Sequence, residues 1–306
     1  MNNTSTKPSE FFTIYDLLNT LLVNKLKIIA LTLIFALSSI FFTSFMTPYY
    51  ISQGIYEVVS EDQTETAISK AQQIGQGFGL SIPSFGSNSS DRGTLAIEII
   101  LSRSFVELLT EDDYIIAAIM APKSFSWSDK TLIFDESIYN HENNTWNRPL
   151  KGQFLERPSY LEVYEEYIKM LSIRQDKRSG FVYISFEHIS PIFAKNFIDV
   201  VVRKVNDIIR MQDKEVSSAA LRYLYEKQIT TKEKGTLLSI NSLIENYLAK
   251  DVLSNTREDY VLNAIDEPYV PLIKSKPFRS LIVLISTVFG FIFSITIIFL
   301  REFTKK

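Results

Sequence analysis

Two stretches of this chain carry no charged side chain, residues 28–46 (IIALTLIFALSSIFFTSFM) and residues 280–300 (SLIVLISTVFGFIFSITIIFL). A helix rises about 1.5 Å per residue and the hydrocarbon core of a bilayer is about 30 Å thick, so each stretch is long enough to cross one. Lys25 and Lys27 precede the first stretch, and no Lys or Arg occurs between residues 47 and 69. Short basic flanks stay on the cytoplasmic side, which puts the N-terminus inside and, after two spans, the C-terminus inside as well. The first stretch is longer than the apolar region of a signal peptide, and no small-x-small cleavage site follows it before Pro48, so it is expected to stay as an anchor. The expected organisation is a cytoplasmic segment (1–27), a transmembrane helix (28–46), a periplasmic domain (47–279), a second transmembrane helix (280–300) and a cytoplasmic tail (301–306). Cytoplasmic segments this short are expected to hold neither a catalytic domain nor a signalling output.

Between the spans the rhythm changes. Residues 50–59 (YISQGIYEVV) are rich in β-branched and aromatic side chains and predict a strand. Residues 75–93 hold five of the ten glycines and five serines, and predict a loop. There Gly75, Gly77 and Gly79 imitate part of a dinucleotide fingerprint, without the strand and helix that phosphate binding needs. Residues 94–109 show one apolar helical face and predict one amphipathic helix. Residues 110–157 have no clear period. Residues 160–170 predict a helix, and residues 171–174 and 181–187 two strands joined as a hairpin through the turn residues Asp176, Ser179 and Gly180.

Ser190 and Pro191 are a good N-cap and first helical residue. No proline occurs from residue 192 to 267, and the only glycine there is Gly235. Ile198, Val201, Val205 and Ile208 form one apolar stripe; Leu237, Ile240, Ile244 and Tyr247 form another; residues 226–236 between them are polar. This predicts a helix of about 40 residues, about 60 Å long, then a solvated tip with a break near Gly235 and a shorter returning helix. One unbroken helix to about residue 252 is the competing arrangement. The stripes are expected to pack on each other, within one subunit or between neighbours. Residues 259–265 predict a last strand. The expected fold class is therefore an α+β periplasmic domain, with a small membrane-proximal sheet and a long helical hairpin or coiled coil, flanked by two transmembrane helices.

Composition removes chemistry rather than adding it. The absence of cysteine excludes disulfides, a thiol nucleophile and thiolate metal ligation. His141 and His188 lack the helical spacing of a zinc pair and are expected to be removable together. The segment 47–279 holds 26 basic and 32 acidic residues, a net of −6, which does not suit nucleic acid. No nucleophile–base pair, metal cluster or phosphate loop emerges, so neither catalytic residues nor a cofactor is expected.

The proline-rich segment before the second span carries a resemblance. Pro268, Pro271, Pro277 and Gly290 fall in register with the pattern P-x2-P-x4-S-P-K-x11-G-G, while Lys276, Phe278 and Phe291 replace its serine, lysine and second glycine. That pattern, with the two terminal spans, the strand directly after the first and the order strand, proline, long helix, resembles the polysaccharide co-polymerases, the Wzz-like chain-length determinants of bacterial surface polysaccharides. The resemblance implies a homo-oligomer in the bacterial inner membrane that does no chemistry. It would act with an integral-membrane polymerase to set how many lipid-linked repeat units, of O-antigen or a related polymer, are joined. It raises two alternatives of neighbouring architecture: the membrane adaptor of a tyrosine autokinase, and the inner-membrane component of a capsule exporter.

The same residues have physical readings of their own. Each proline fixes φ and removes a donor, so the segment predicts a stiff extended link into the span. Ser286, Gly290 and Ser294, spaced by four, make a small-residue face for helix–helix contact. Lys274, Lys276 and Arg279 at the outer interface suit lipid headgroup phosphates or the diphosphate of a polyprenyl-linked glycan.

Overall fold

The structure, a computed structural model, describes residues 21–59, 89–148, 156–257 and 259–305. Its elements are α1 (Lys25–Ser44), β1 (Tyr50–Val58), α2 (Ser89–Ile100), α3 (Arg103–Leu109), α4 (Asp113–Met120), β2 (Pro122–Ser126), β3 (Thr131–Phe134), β4 (Tyr139–Asn140), β5 (Thr145–Trp146), α5 (Tyr160–Met170), β6 (Leu171–Gln175), β7 (Val182–His188), α6 (Pro191–Thr230), α7 (Lys234–Thr256), β8 (Leu262–Asp266) and α8 (Arg279–Lys305). The chain divides into two compact units, Met1–Pro48 with Ser275–Lys306, and Tyr49–Lys274.

The larger unit is built on a four-stranded antiparallel sheet in the order β6-β7-β1-β8. Burial alternates along its central strands: Tyr50, Ser52, Gly54, Tyr56 and Val58 on β1, and Val182, Ile184, Phe186 and His188 on β7, point into the core. This is the period of two that a half-buried strand requires. The β6–β7 hairpin turns as expected. The Asp176 carboxylate accepts the Arg178 N–H at 2.7 Å, and Gly180 takes φ +76°, a conformation that costs a side-chain-bearing residue strain.

The long helix starts where Ser190 and Pro191 predict. The Ser190 hydroxyl accepts the Phe193 N–H at 3.2 Å, and Pro191 supplies the first turn. Its first half covers the sheet: Phe197 packs on Phe186 with ring centroids 4.5 Å apart, and Ile198, Val201 and Val205 are fully buried. Buried Asn206 secures β8, donating from Nδ2 to the Leu262 carbonyl at 3.0 Å and accepting from the Val261 and Leu262 N–H groups at 3.1 and 2.9 Å. His188 is buried at the opposite end of the sheet, beside Tyr50 of β1. Its Nε2 lies 2.8 Å from the Ala118 carbonyl, and its Nδ1 accepts the Ser190 N–H at 3.0 Å. Burial pushes this imidazole down to about 4, and the two backbone partners suit the neutral ring with its proton on Nε2. His188 is thus a structural group, unlike exposed His141, and replacing both together would damage the core.

Several expectations need correction. The single helix over residues 94–109 is two, α2 and α3. Ser102 turns to extended backbone (ψ 152°) and caps the second by accepting the Phe105 N–H, because a serine satisfies a helix start better than a helix interior. The loop expected over residues 75–93 lies outside the described residues up to residue 88, and from Ser89 it is already helical. The stretch without a clear period contains α4 and two small hairpins, β2–β3 and β4–β5. After α6 the chain breaks near Gly235, at residues 231–233, so the unbroken helix is ruled out; Gly235 itself lies in the first turn of α7. The adjacent β-branched pair Thr230 and Thr231 lowers helix propensity there, and no apolar stripe holds the tip.

The two apolar stripes do not meet. Ile240 and Ile244 of α7 pack on Leu221 and Leu224 of α6, with Leu243 and Tyr247 beside them. The antiparallel pairing is marked by Gln228 bonded to Asn241 at 2.7 Å and by Lys214 bonded to Asn255 at 2.8 Å. With 23 residues, α7 ends before it reaches the first stripe, which the sheet takes instead. At the base of the hairpin Asp213 gathers Arg92 (3.1 Å), Lys250 (2.9 Å) and the Tyr260 hydroxyl (2.8 Å), joining α2, α6, α7 and the approach to β8.

Candidate functional site in the helix pair and the proline-rich segment

In the smaller unit α1 and α8 are both long and apolar enough to cross a membrane. Most of their large side chains face outward, Phe41 and Leu284 among them, as lipid-facing positions do. The helices pack antiparallel. Phe35 of α1 sits against Gly290, where an added Cβ would come within 2.6 Å of the Phe35 Cβ. Phe289 and Phe293 flank the same ring at centroid distances of 6.4 and 5.6 Å. Four residues before Gly290, the Ser286 hydroxyl donates to the Phe35 carbonyl at 3.4 Å; four residues after it, Ser294 is fully buried and donates to the Phe291 carbonyl at 2.8 Å. At one end of the pair the Arg279 guanidinium reaches the Met46 carbonyl at 3.4 Å. Ser286 and Gly290 therefore meet α1 of the same chain, and Ser294 is buried one turn further along α8. Close approach needs small side chains because bulk apolar surface gives no net drive between helices in lipid.

The proline-rich segment is divided between the units. Pro268 and Pro271 belong to the large unit and are buried. Between them the Tyr269 carbonyl accepts the Ser52 hydroxyl of β1 at 2.7 Å, which ties the segment to the central sheet. Leu272 and Ile273 follow at 79% and 83% exposure, and Lys274 ends that unit. Lys276, Pro277 and Arg279 belong to the helix pair, and the Lys276–Pro277 bond is cis.

Sequence reasoning missed Phe35, Ser52 and the Asp213 cluster, whose partners are distant in the chain. Asn206 did leave a signal, as a polar residue beside the apolar stripe of α6. Among the described residues no group of three or more His, Asp or Glu side chains could hold a metal ion. One strongly perturbed carboxylate, Glu162, belongs to the capping box of α5: the Arg148 guanidinium, with Ser159, holds it down to about 2. Both the box and the Arg148 pair are structural in geometry, since they close a helix start.

Comparison with known proteins adds the following. The family model of the Wzz chain length determinant protein matches residues 10–112. No curated protein sequence matches. Similar solved structures include a full-length bacterial polysaccharide co-polymerase, 13% identical over 96% of this chain and 98% of that one at a TM-score of 0.42. They also include a fragment of WzzB, the polysaccharide co-polymerase from Salmonella Typhimurium, 11% identical over 75% of this chain and 100% of that one at a TM-score of 0.33. The match over residues 10–112 and the proline register from Pro268 to Gly290 lie at opposite ends of the sequence and carry the same likeness: the chain is Wzz-like, resembling the chain-length determinants of the polysaccharide co-polymerase family.

Proposed function

We propose that this chain regulates the length of a bacterial surface polysaccharide, O-antigen or a related polymer, without catalysing a reaction, as a homo-oligomer acting beside an integral-membrane polymerase. The observation that carries this reading is the chain length determinant match over residues 10–112. The antiparallel packing of α1 and α8 supports an arrangement with both termini on one side of the inner membrane. The basic flank Lys25 and Lys27 makes that side the cytoplasm, with the domain 47–279 in the periplasm. In this reading the contact of Ser286 and Gly290 with α1 fixes the span pair, with Ser294 buried one turn further along α8. Pro268 and Pro271, held to β1 through Tyr269 and Ser52, link the sheet to the second span. Lys274, Lys276 and Arg279 meet headgroup phosphates at the outer interface.

The test is a deletion strain with its surface polysaccharide resolved on a gel. Replacement of a modal cluster by an unregulated ladder supports the proposal; an unchanged pattern, or complete loss of polymer, overturns it. A periplasm-active reporter fused near residue 130 should be active and one fused after Lys306 silent; the reverse pattern overturns the orientation.

A further inference from the structure

Away from the helix pair, the large unit has an open cleft of about 310 Å³ where the start of α4, the β2–β3 hairpin and the first turns of α6 converge. Its floor is aromatic. Tyr114 is 44% exposed, and its ring is held edge-on by Phe134 and Phe193, both at centroid distances of 6.0 Å. Those two are core residues, so the platform is fixed before anything binds. Around the floor stand Lys130, a donor held at a turn with φ +56°, Asn196, which both donates and accepts, and His141, its ring 5.1 Å from Phe134.

This combination selects a ligand class. An anion site would need cations without the neighbouring Asp112 carboxylate, and an apolar segment would not need a rim of hydrogen-bonding groups. A pyranose has one face of C–H groups that stacks on an aromatic ring, and an equatorial belt of hydroxyls that both donate and accept. The cleft is open, as a site for a chain passing through must be, and its volume is at the lower end of the range for ligand sites. We infer that this cleft binds a sugar residue of a saccharide chain, stacked on Tyr114 and hydrogen-bonded by Asn196 and Lys130. The inference rests on the chain-length reading and gives it a point of contact with the polymer itself.

The test uses the full chain in detergent, with oligosaccharides released by mild acid from the host bacterium's own surface polysaccharide as probe. Saturation-transfer NMR should show transfer to sugar ring C–H protons. In titrations Tyr114→Ala should weaken binding about tenfold, Asn196→Ala less, and Tyr114→Trp little, because it keeps a stacking face. Tyr223→Ala, on the exposed hairpin, should bind as the parent does. Thermal melts establish that each variant is folded, and Tyr114→Trp with Asn196→Ala keep the test decisive if the alanine at 114 melts early. Absence of transfer to the parent protein, or binding indifferent to both Tyr114→Ala and Asn196→Ala, overturns the inference. An altered deletion gel together with such indifference sinks the cleft alone; an unaltered deletion gel sinks the chain-length reading beneath it.

Discussion

The two halves of α6 follow the same helical period yet are held in different ways. From Phe193 to Ile209 the helix lies on a sheet, with Phe193, Phe197, Ile198, Val201 and Val205 locked among aromatic and β-branched neighbours. Beyond Asp213, whose ties reach Arg92 of α2 and Tyr260, α7 alone accompanies it among the described residues, and the buried apolar contact shrinks to Leu221 and Leu224 against Ile240 and Ile244. The second half is stitched instead by polar links at its margins, Gln228 to Asn241 and Lys214 to Asn255. Exposed links of that kind are worth little in water, and most helical stability comes from packing an apolar face. One continuous helix thus joins a rigid base to a lightly held arm.

That difference can be tested in order of size. Val201→Asp places an unpaired charge at a fully buried position, and should cost more than about 4 kcal/mol, leaving no cooperative melt of the full chain in detergent. A normal melt would mean that the base is not the core it appears from the burial of its stripe. Leu224→Ala should cost about 2 kcal/mol, the low end for a core truncation, because its site has few neighbours and can collapse. Its effect should be confined: amide exchange should quicken across α7 and the second half of α6, while β1 and β7 keep their protection. Equal loosening of the sheet would erase the distinction between base and arm.

Acid should weaken the base before it reaches the carboxylates. His188 is held neutral in the fold down to about 4, whereas in the unfolded chain it takes up a proton near 6.5. Between those values the unfolded state binds more protons, so stability falls as pH falls from about 6.5 towards 4. Glu162, held down to about 2, keeps its full contribution above about 4.5 and loses it only below. Melts taken between pH 6.5 and 5 should therefore decline in the parent chain. A flat profile there would contradict the buried neutral imidazole. The smallest effect is expected at the tip, where Lys232→Asp on an exposed turn should change stability by no more than about 0.5 kcal/mol.

Local signals predicted local structure well. Ser190 with Pro191, the turn residues 176–180 and the β-branched and aromatic run in residues 50–59 each state their element in a few adjacent positions, and each element forms there. The spacing of Ser286, Gly290 and Ser294 marks a face of small residues, but nothing in it names Phe35. The pairing of stripes was misjudged because periodicity tells which face is apolar and not what covers it. The length of α7, fixed by where Thr230 and Thr231 break the chain, decides that. The helices and hairpins of residues 113–146 are short and partly buried on several sides, so no single period runs long enough to read. Asp213 with Arg92, Lys250 and Tyr260 depends on contacts across the whole unit, which no local pattern encodes.

The amide of Asn206 has a consequence for how copies of this chain can meet. β8 is the last strand of its sheet, and the open edge of a sheet is a template on which a foreign strand can grow. Asn206 occupies both the N–H and the carbonyl of Leu262, standing in for the neighbour that a ladder would supply. An incoming polypeptide would have to displace a buried side chain and then leave its polar atoms unsatisfied. The helix thus seals the edge at Leu262, where a backbone ladder has no free groups to extend from, and leaves the exposed residues Ala264 to Asp266 outside that seal.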